Sequence, residues 1–199
     1  VEFGFAPQNA ARFSSWQSRN FGISRYRVLE ELLAGRFGPS QLDPSALRLP
    51  DLTRAFANRV KLIYETAPET FGARSLLERH SNQRLYVASG SDQTELREAL
   101  EQRRLSNYFV QVCGSPTPKG QLVADIVMRE REHLGRAPRG VMLGDAESDA
   151  DAAARSGIDF IFISAYSSVR HSMLKRCQSE DLPYVETLAD LLEETEPAN

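Results

Sequence analysis

The sequence predicts an α/β fold: a doubly wound parallel sheet with a small all-helical unit ahead of it. Three observations lead there. After Pro68, short apolar runs alternate with helical patterns, the signature of successive β–α–β units. Those runs are apolar throughout instead of alternating with polar residues, as strands covered on both faces are. Before Pro68 the apolar spacing is helical, with no convincing strand.

Taken in order, residues from about Gln8 to Thr66 read as helices. Over Arg25–Phe37, Val28, Leu29, Leu32 and Leu33 share one face, Ser24 is a candidate N-cap, and Gly35 with Gly38-Pro39 ends the helix. Asp51 is the expected cap of a second long helix presenting Leu52, Phe56, Val60 and Ile63. A short helix over Ala73–His80 then leads to a strand at Arg84–Ser89. Asp92, with Glu95 three residues on, has the spacing of a capping box and opens the next helix. A strand over Tyr108–Cys113 follows, then a helix capped by Thr117 with Pro118 at its first position and running through Val127. The remaining expectations are strands at Gly140–Leu143 and Asp159–Ile163, with a helix over Ser148–Arg155 between them. Helices near Val169–Cys177 and Thr187–Glu194 finish the chain. The domain boundary falls between residues 66 and 67, separating a helical cap (1–66) from an α/β core (67–199).

Composition sets outer limits. At 41% hydrophobic and 26% charged, the chain matches a soluble globular protein, and no apolar run approaches the ~20 residues of a spanning helix. Neither a membrane nor nucleic acid is an expected partner, since the net charge is only −3. The sign is uneven. Residues 1–66 carry nine basic and six acidic side chains; residues 67–199 carry fifteen and twenty-one. A mildly basic first third suits an anionic small substrate, although solvated helix faces explain it equally well. Cys113 and Cys177 sit in no disulfide or metal spacing. A cytoplasmic monomer or dimer is the expectation. Val1 in place of Met suggests that the gene begins earlier.

Three groups that could carry chemistry stand at strand ends or helix starts: Ser89-Gly90-Ser91, then Lys119, then Asp145 with Asp149. In a parallel sheet such ends share one edge, so residues distant in sequence converge there. Each group has an ordinary reading: a small residue ending a strand, a solvated lysine, acids near a helix N-terminus. Lysine is uncommon here, 3 against 21 arginines, which makes Lys119 less casual. Together, hydroxyl donors, a cation and paired carboxylates can hold a phosphoryl group and a Mg²⁺ ion.

These residues, in this order, resemble the haloacid dehalogenase-like hydrolase superfamily, in its phosphatase and β-phosphoglucomutase-like branch. Leu85-Tyr86-Val87-Ala88-Ser89 is similar to the family's second motif, Lys119 to the third-motif lysine, and Gly144-Asp145-Ala146-Glu147-Ser148-Asp149 to the fourth, Gly-Asp-x-x-x-Asp. The resemblance implies that Ser89, Gly90, Ser91 and Lys119 bind the phosphoryl group. It implies that Asp145 binds Mg²⁺, and that Asp149 orients the metal's water or the lysine. Gly22-Ile23-Ser24-Arg25 is similar to a cap-helix start in which the arginine contacts a phosphorylated small-molecule substrate.

The family's first motif, an apolar strand ending in Asp-x-Asp, has no counterpart here. Val1–Phe5 reads as the start of the cap, and Asp43 and Asp51, the only aspartates before Asp92, follow no buried strand. A strand central to the sheet is therefore missing from the pattern. A longer natural chain, a gene fragment and a strand supplied by a partner all remain open. The resemblance implies a Mg²⁺-dependent phosphate-monoester hydrolase acting through an aspartyl-phosphate, its nucleophile upstream of residue 1. The alternatives are a phosphomutase and a noncatalytic binding or regulatory protein. A phosphorelay receiver domain also uses acids, a hydroxyl and a lysine, but the helical unit and the order of the acids argue against it.

Overall fold

In the computed structural model, residues 7–19, 25–38 and 48–193 are described. Three helices come first: α1 (Pro7–Arg19), α2 (Arg25–Leu33) and α3 (Leu49–Thr66). Apolar packing holds them together. Val28, Leu29 and Leu52 are buried, and Phe37 meets Phe13 edge to face at 5.2 Å between ring centres. Asp51 lies in the first turn of α3 and does not cap it. Pro50 fits the opening turn, where no N–H is needed, so the helix begins at Leu49. Ser24 lies outside the described residues.

The remainder alternates strand and helix. It comprises α4 (Ala73–Arg79), β1 (Leu85–Asp92), α5 (Gln93–Gln102), β2 (Phe109–Ser115) and α6 (Lys119–Leu134), then β3 (Val141–Gly144), α7 (Glu147–Ser156), β4 (Asp159–Ile163), α8 (Arg170–Glu180), β5 (Tyr184–Val185) and α9 (Asp190–Glu193). Asp92 caps α5, its carboxylate accepting from the N–H groups of Thr94 and Glu95 at 2.9 and 3.2 Å. The Pro118 backbone is extended (φ −59°, ψ 141°), so α6 starts one residue later than the Thr117-Pro118 pattern suggests. It also runs past Val127 to Leu134, where left-handed Gly135 stops it; the polar Arg129–His133 stretch hides that extension from an apolar count. Two-residue β5 is too short to read from sequence.

Every strand pairing is parallel, and the fold is α/β. The sheet, however, is in two pieces: β1 pairs with β2, while β3, β4 and β5 form a second sheet. The larger core belongs to the second piece, where Phe160, Phe162, Met173 and Cys177 pack with Ala150 and Ala153. Helix α6 links the pieces, packing on β1 and β2 and lying along α7.

The break shows in burial. No residue of β1 is fully buried despite its apolar run, and Val141 at the start of β3 is 53% exposed. Interior strands of a parallel sheet are normally covered on both faces and paired on both edges. Among the described residues, β1 pairs only with β2 and β3 only with β4, so each keeps one unpaired edge. An unpaired edge on each is what the missing first core strand of the sequence pattern would leave.

Candidate active site

The carboxyl end of β1 leaves its ladder. Ala88 pairs with Cys113 and Asp92 with Ser115, so four steps along β1 match two along β2. The excess forms a bulge at Ser89-Gly90-Ser91, and bulges re-aim a strand where regular pairing would hide it. Within it, the Ser91 N–H donates to Ser89 Oγ at 3.1 Å. Gly114 on β2 makes room: a Cβ there would stand 2.6 Å from the Ser91 carbonyl oxygen.

The end of β3 is tied more tightly. Asp149, in the first turn of α7, is 3% exposed, and its Oδ2 accepts from the backbone N–H groups of Asp145 and Ala146 at 3.1 and 3.0 Å. Its Oδ1 takes the ammonium of Lys119. One carboxylate therefore shapes the β3–α7 turn and anchors the cation from α6. Gly144 permits this, because a Cβ there would lie 2.4 Å from that of Asp149. The alanines that follow keep α7 slim enough to pack against α6, β3 and β4.

Asp145 stands beside the pair, its carbonyl accepting from Ser167 Oγ on the loop after β4. Its carboxyl is pushed above the usual range, first by burial and then by the charge of Asp149; Lys119 and a backbone hydrogen bond oppose the rise. A desolvated carboxylate of this kind gains from a nearby cation. Mg²⁺ commonly takes one or two protein carboxylates and completes its shell with water and phosphate oxygens. Asp145 fits that donor role. Asp149, with both oxygens already engaged by protein donors, displays the lysine-orienting arrangement. Among the described residues, no group of three or more His, Cys, Asp or Glu could hold a metal by itself.

The cap reaches this edge through two tyrosines absent from the sequence expectations. Tyr26 O–H donates to Asp92 Oδ2 at 2.7 Å, and Tyr64 O–H to Ser91 Oγ at 2.8 Å. Arg103 of the core returns the contact, its Nε donating to the Tyr64 carbonyl at 3.1 Å. Between α2 and the starts of α6 and α7 lies a cleft of about 480 Å³. Gly90 and Lys119 line it; Ser89, Ser91, Asp145 and Asp149 do not. Tyr26, Arg27, Ser148 and Arg155 also line it, and none was singled out from sequence. Their only sequence signal is position, Tyr26 and Arg27 beside Arg25 and the others on the helix after Asp145. The side chain of Arg25 lies outside the described residues. A separate hollow of about 530 Å³ beside Trp16 and Arg36 is remote from the strand ends.

No family model matches this sequence, and no curated protein matches it. Solved structures share its fold. One from Clostridium acetobutylicum, described as a predicted phosphatase, aligns over 92% of this chain and 85% of its own, with 16% identity and a TM-score of 0.56. A haloacid dehalogenase-like family hydrolase from Streptococcus pneumoniae aligns over 94% and 90%, with 16% identity and a TM-score of 0.53. A HAD-superfamily hydrolase of subfamily IA, variant 1, from Geobacter sulfurreducens covers 85% and 72%, with 20% identity and a TM-score of 0.53. The chain has a haloacid dehalogenase-like fold. No helix among the described residues is long and apolar enough to cross a membrane.

Proposed function

We propose that this chain forms the cap and most of the core of a Mg²⁺-dependent phosphate-monoester hydrolase. Its nucleophilic aspartate would lie on a strand encoded upstream of Val1 that enters the gap between β1 and β3. The observation carrying this reading is the Lys119–Asp149 pair beside half-buried Asp145, at a strand end bordering that gap. The Ser89–Ser91 bulge ends β1 and Asp145 follows β3, so a strand pairing with both would have them on either side of its carboxyl end. A strand between them would deliver its last residue among hydroxyl, ammonium and carboxylate groups.

In this reading Ser89 and Lys119 bind the phosphoryl oxygens, and the backbone N–H of Gly90 in the bulge, with the Ser91 hydroxyl, adds donors. Asp149 keeps Lys119 aimed. A Mg²⁺ held by Asp145 supplies further positive charge for the phosphate when bound. The upstream carboxylate attacks phosphorus, the P–O bond to the alcohol breaks, and a second upstream acid protonates the departing oxygen. Water then attacks phosphorus, releasing inorganic phosphate and restoring the carboxylate. The cap, drawn to the core by Tyr26 and Tyr64, limits water at the site.

The test is turnover of an aryl phosphate by the intact gene product, with and without Mg²⁺. Metal-dependent turnover abolished by Asp145→Asn is the expected result. Absence of any turnover, or an Asp145→Asn variant as active as the parent, overturns the reading. The upstream coding sequence offers an independent check: an apolar strand ending in Asp-x-Asp supports the enzyme. A stop codon there supports a noncatalytic binding protein, the second reading.

A further inference from the structure

The cleft beside Lys119 extends well past the phosphoryl end. Along α7, Ser148, Asp151, Ala152 and Arg155 all line it. Their spacing of three, four and seven residues places them on one helix face, over a length of about 10 Å at ~1.5 Å per residue. The cleft is therefore bordered by two cationic residues, Lys119 and Arg155.

Most charges in the cleft already have partners. Lys119 is held by Asp149, and Asp151 pairs with Arg176 of α8 at 2.8 Å. Arg27 pairs with Glu31 at 2.8 Å and lies 3.8 Å from Glu30, itself a lining residue. Arg155 differs: among the described residues it has no carboxylate within ion-pair distance. About two turns away, Ser148 has a buried Oγ that meets no hydrogen-bond partner. An exposed guanidinium on that wall, uncommitted to any carboxylate, describes a site for an acceptor group, and the orphaned hydroxyl beneath it leaves the same wall short of an acceptor.

Resting on the phosphohydrolase reading, we propose that the cleft selects phosphate monoesters bearing a second anionic group, a carboxylate or phosphate, about 10 Å from the first. Arg155 reads that distal anion through its planar fork. A volume of about 480 Å³ suits a metabolite of sugar-phosphate to nucleotide size. Glu30, at the cap side, disfavours an anion placed against α2 and so steers it toward α7.

Calorimetric titration of the intact gene product, in chelator to prevent turnover, tests this with three linear probes. Hexyl phosphate carries one anion; phosphonooxyhexanoate and hexanediol bisphosphate add a distal carboxylate or phosphate. Each probe with a second anionic group should bind about tenfold or more tightly than hexyl phosphate, as expected for a charge-assisted bond. Which of the two gains more identifies the natural distal group. Arg155→Ala should bring that ratio close to one, and Arg155→Glu should invert it. A ratio near one in the parent, or a ratio unmoved by either variant, overturns the inference while leaving phosphoryl binding intact. Failure of all three probes to bind overturns the phosphohydrolase reading along with it.

Discussion

Lys119 and Asp149, 30 positions apart, form an ion pair in which neither partner faces open solvent, their side chains being 13% and 4% exposed. The same aspartate holds the backbone N–H groups of Asp145 and Ala146. Removing its charge while keeping its shape leaves the ammonium buried without compensation. Asp149→Asn is expected to lower stability by about 3 kcal/mol, in the range for breaking a buried pair. Denaturant melts check this, and the double variant Asp149→Asn/Lys119→Met should recover part of the loss.

Gly144 is required for that arrangement, since any Cβ would overlap the Asp149 side chain at 2.4–2.6 Å. Gly144→Ala should cost about 2 kcal/mol through overpacking. Because both changes displace the same carboxylate, the effects of Gly144→Ala and Asp149→Asn should fall short of additivity in a double-mutant cycle. Full additivity would show that the glycine acts elsewhere.

The cap is joined to the core by the Tyr26–Asp92 and Tyr64–Ser91 hydrogen bonds. Tyr26→Phe and Tyr64→Phe should each weaken the closed arrangement by about 1 kcal/mol net. Amide hydrogen exchange should rise across α2 and α3 while β4 keeps its protection. Unchanged exchange in α2 and α3 would mean that apolar contacts alone hold the cap.

A third cluster governs acid sensitivity. Arg84 Nε donates to the Glu130 carboxylate at 2.9 and 3.0 Å, and Tyr86 O–H also donates to it, pinning α6 to β1. Those bonds hold the Glu130 carboxyl below its usual range, Arg84 contributing most. The stabilisation is therefore complete above the unfolded carboxylate range near pH ~4.3 and lost as pH falls through the lower folded value. Glu130→Gln should reduce stability at neutral pH and flatten its decline on acidification. Urea melts across that range measure both effects, and parallel acid limbs would rule the cluster out.

The order and type of most elements were legible from sequence, because continuous apolar runs mark β1 to β4 and helical spacing marks the segments between. Boundaries slipped where local geometry outweighs pattern. Pro118 caps α6 instead of opening it, and Pro50 moves the start of α3 ahead of Asp51. Lys119 stood out because lysine is scarce in this chain, and the Asp145–Asp149 turn because two carboxylates follow an apolar run at once. Tyr26, Tyr64, Ser148 and Arg155 did not, since a tyrosine or arginine on an amphipathic helix looks like any other surface side chain.

By itself, then, the sequence determined the α/β class, the helical unit ahead of it and the chemical types at three strand ends. Those follow from short-range periodicity and capping. Only the tertiary structure decided that Asp149 serves Lys119 and the turn together, that two tyrosines join cap to core, and that the sheet divides between β1 and β3. Each is a relation between segments dozens of residues apart, determined by strand pairing and side-chain packing that no local pattern encodes.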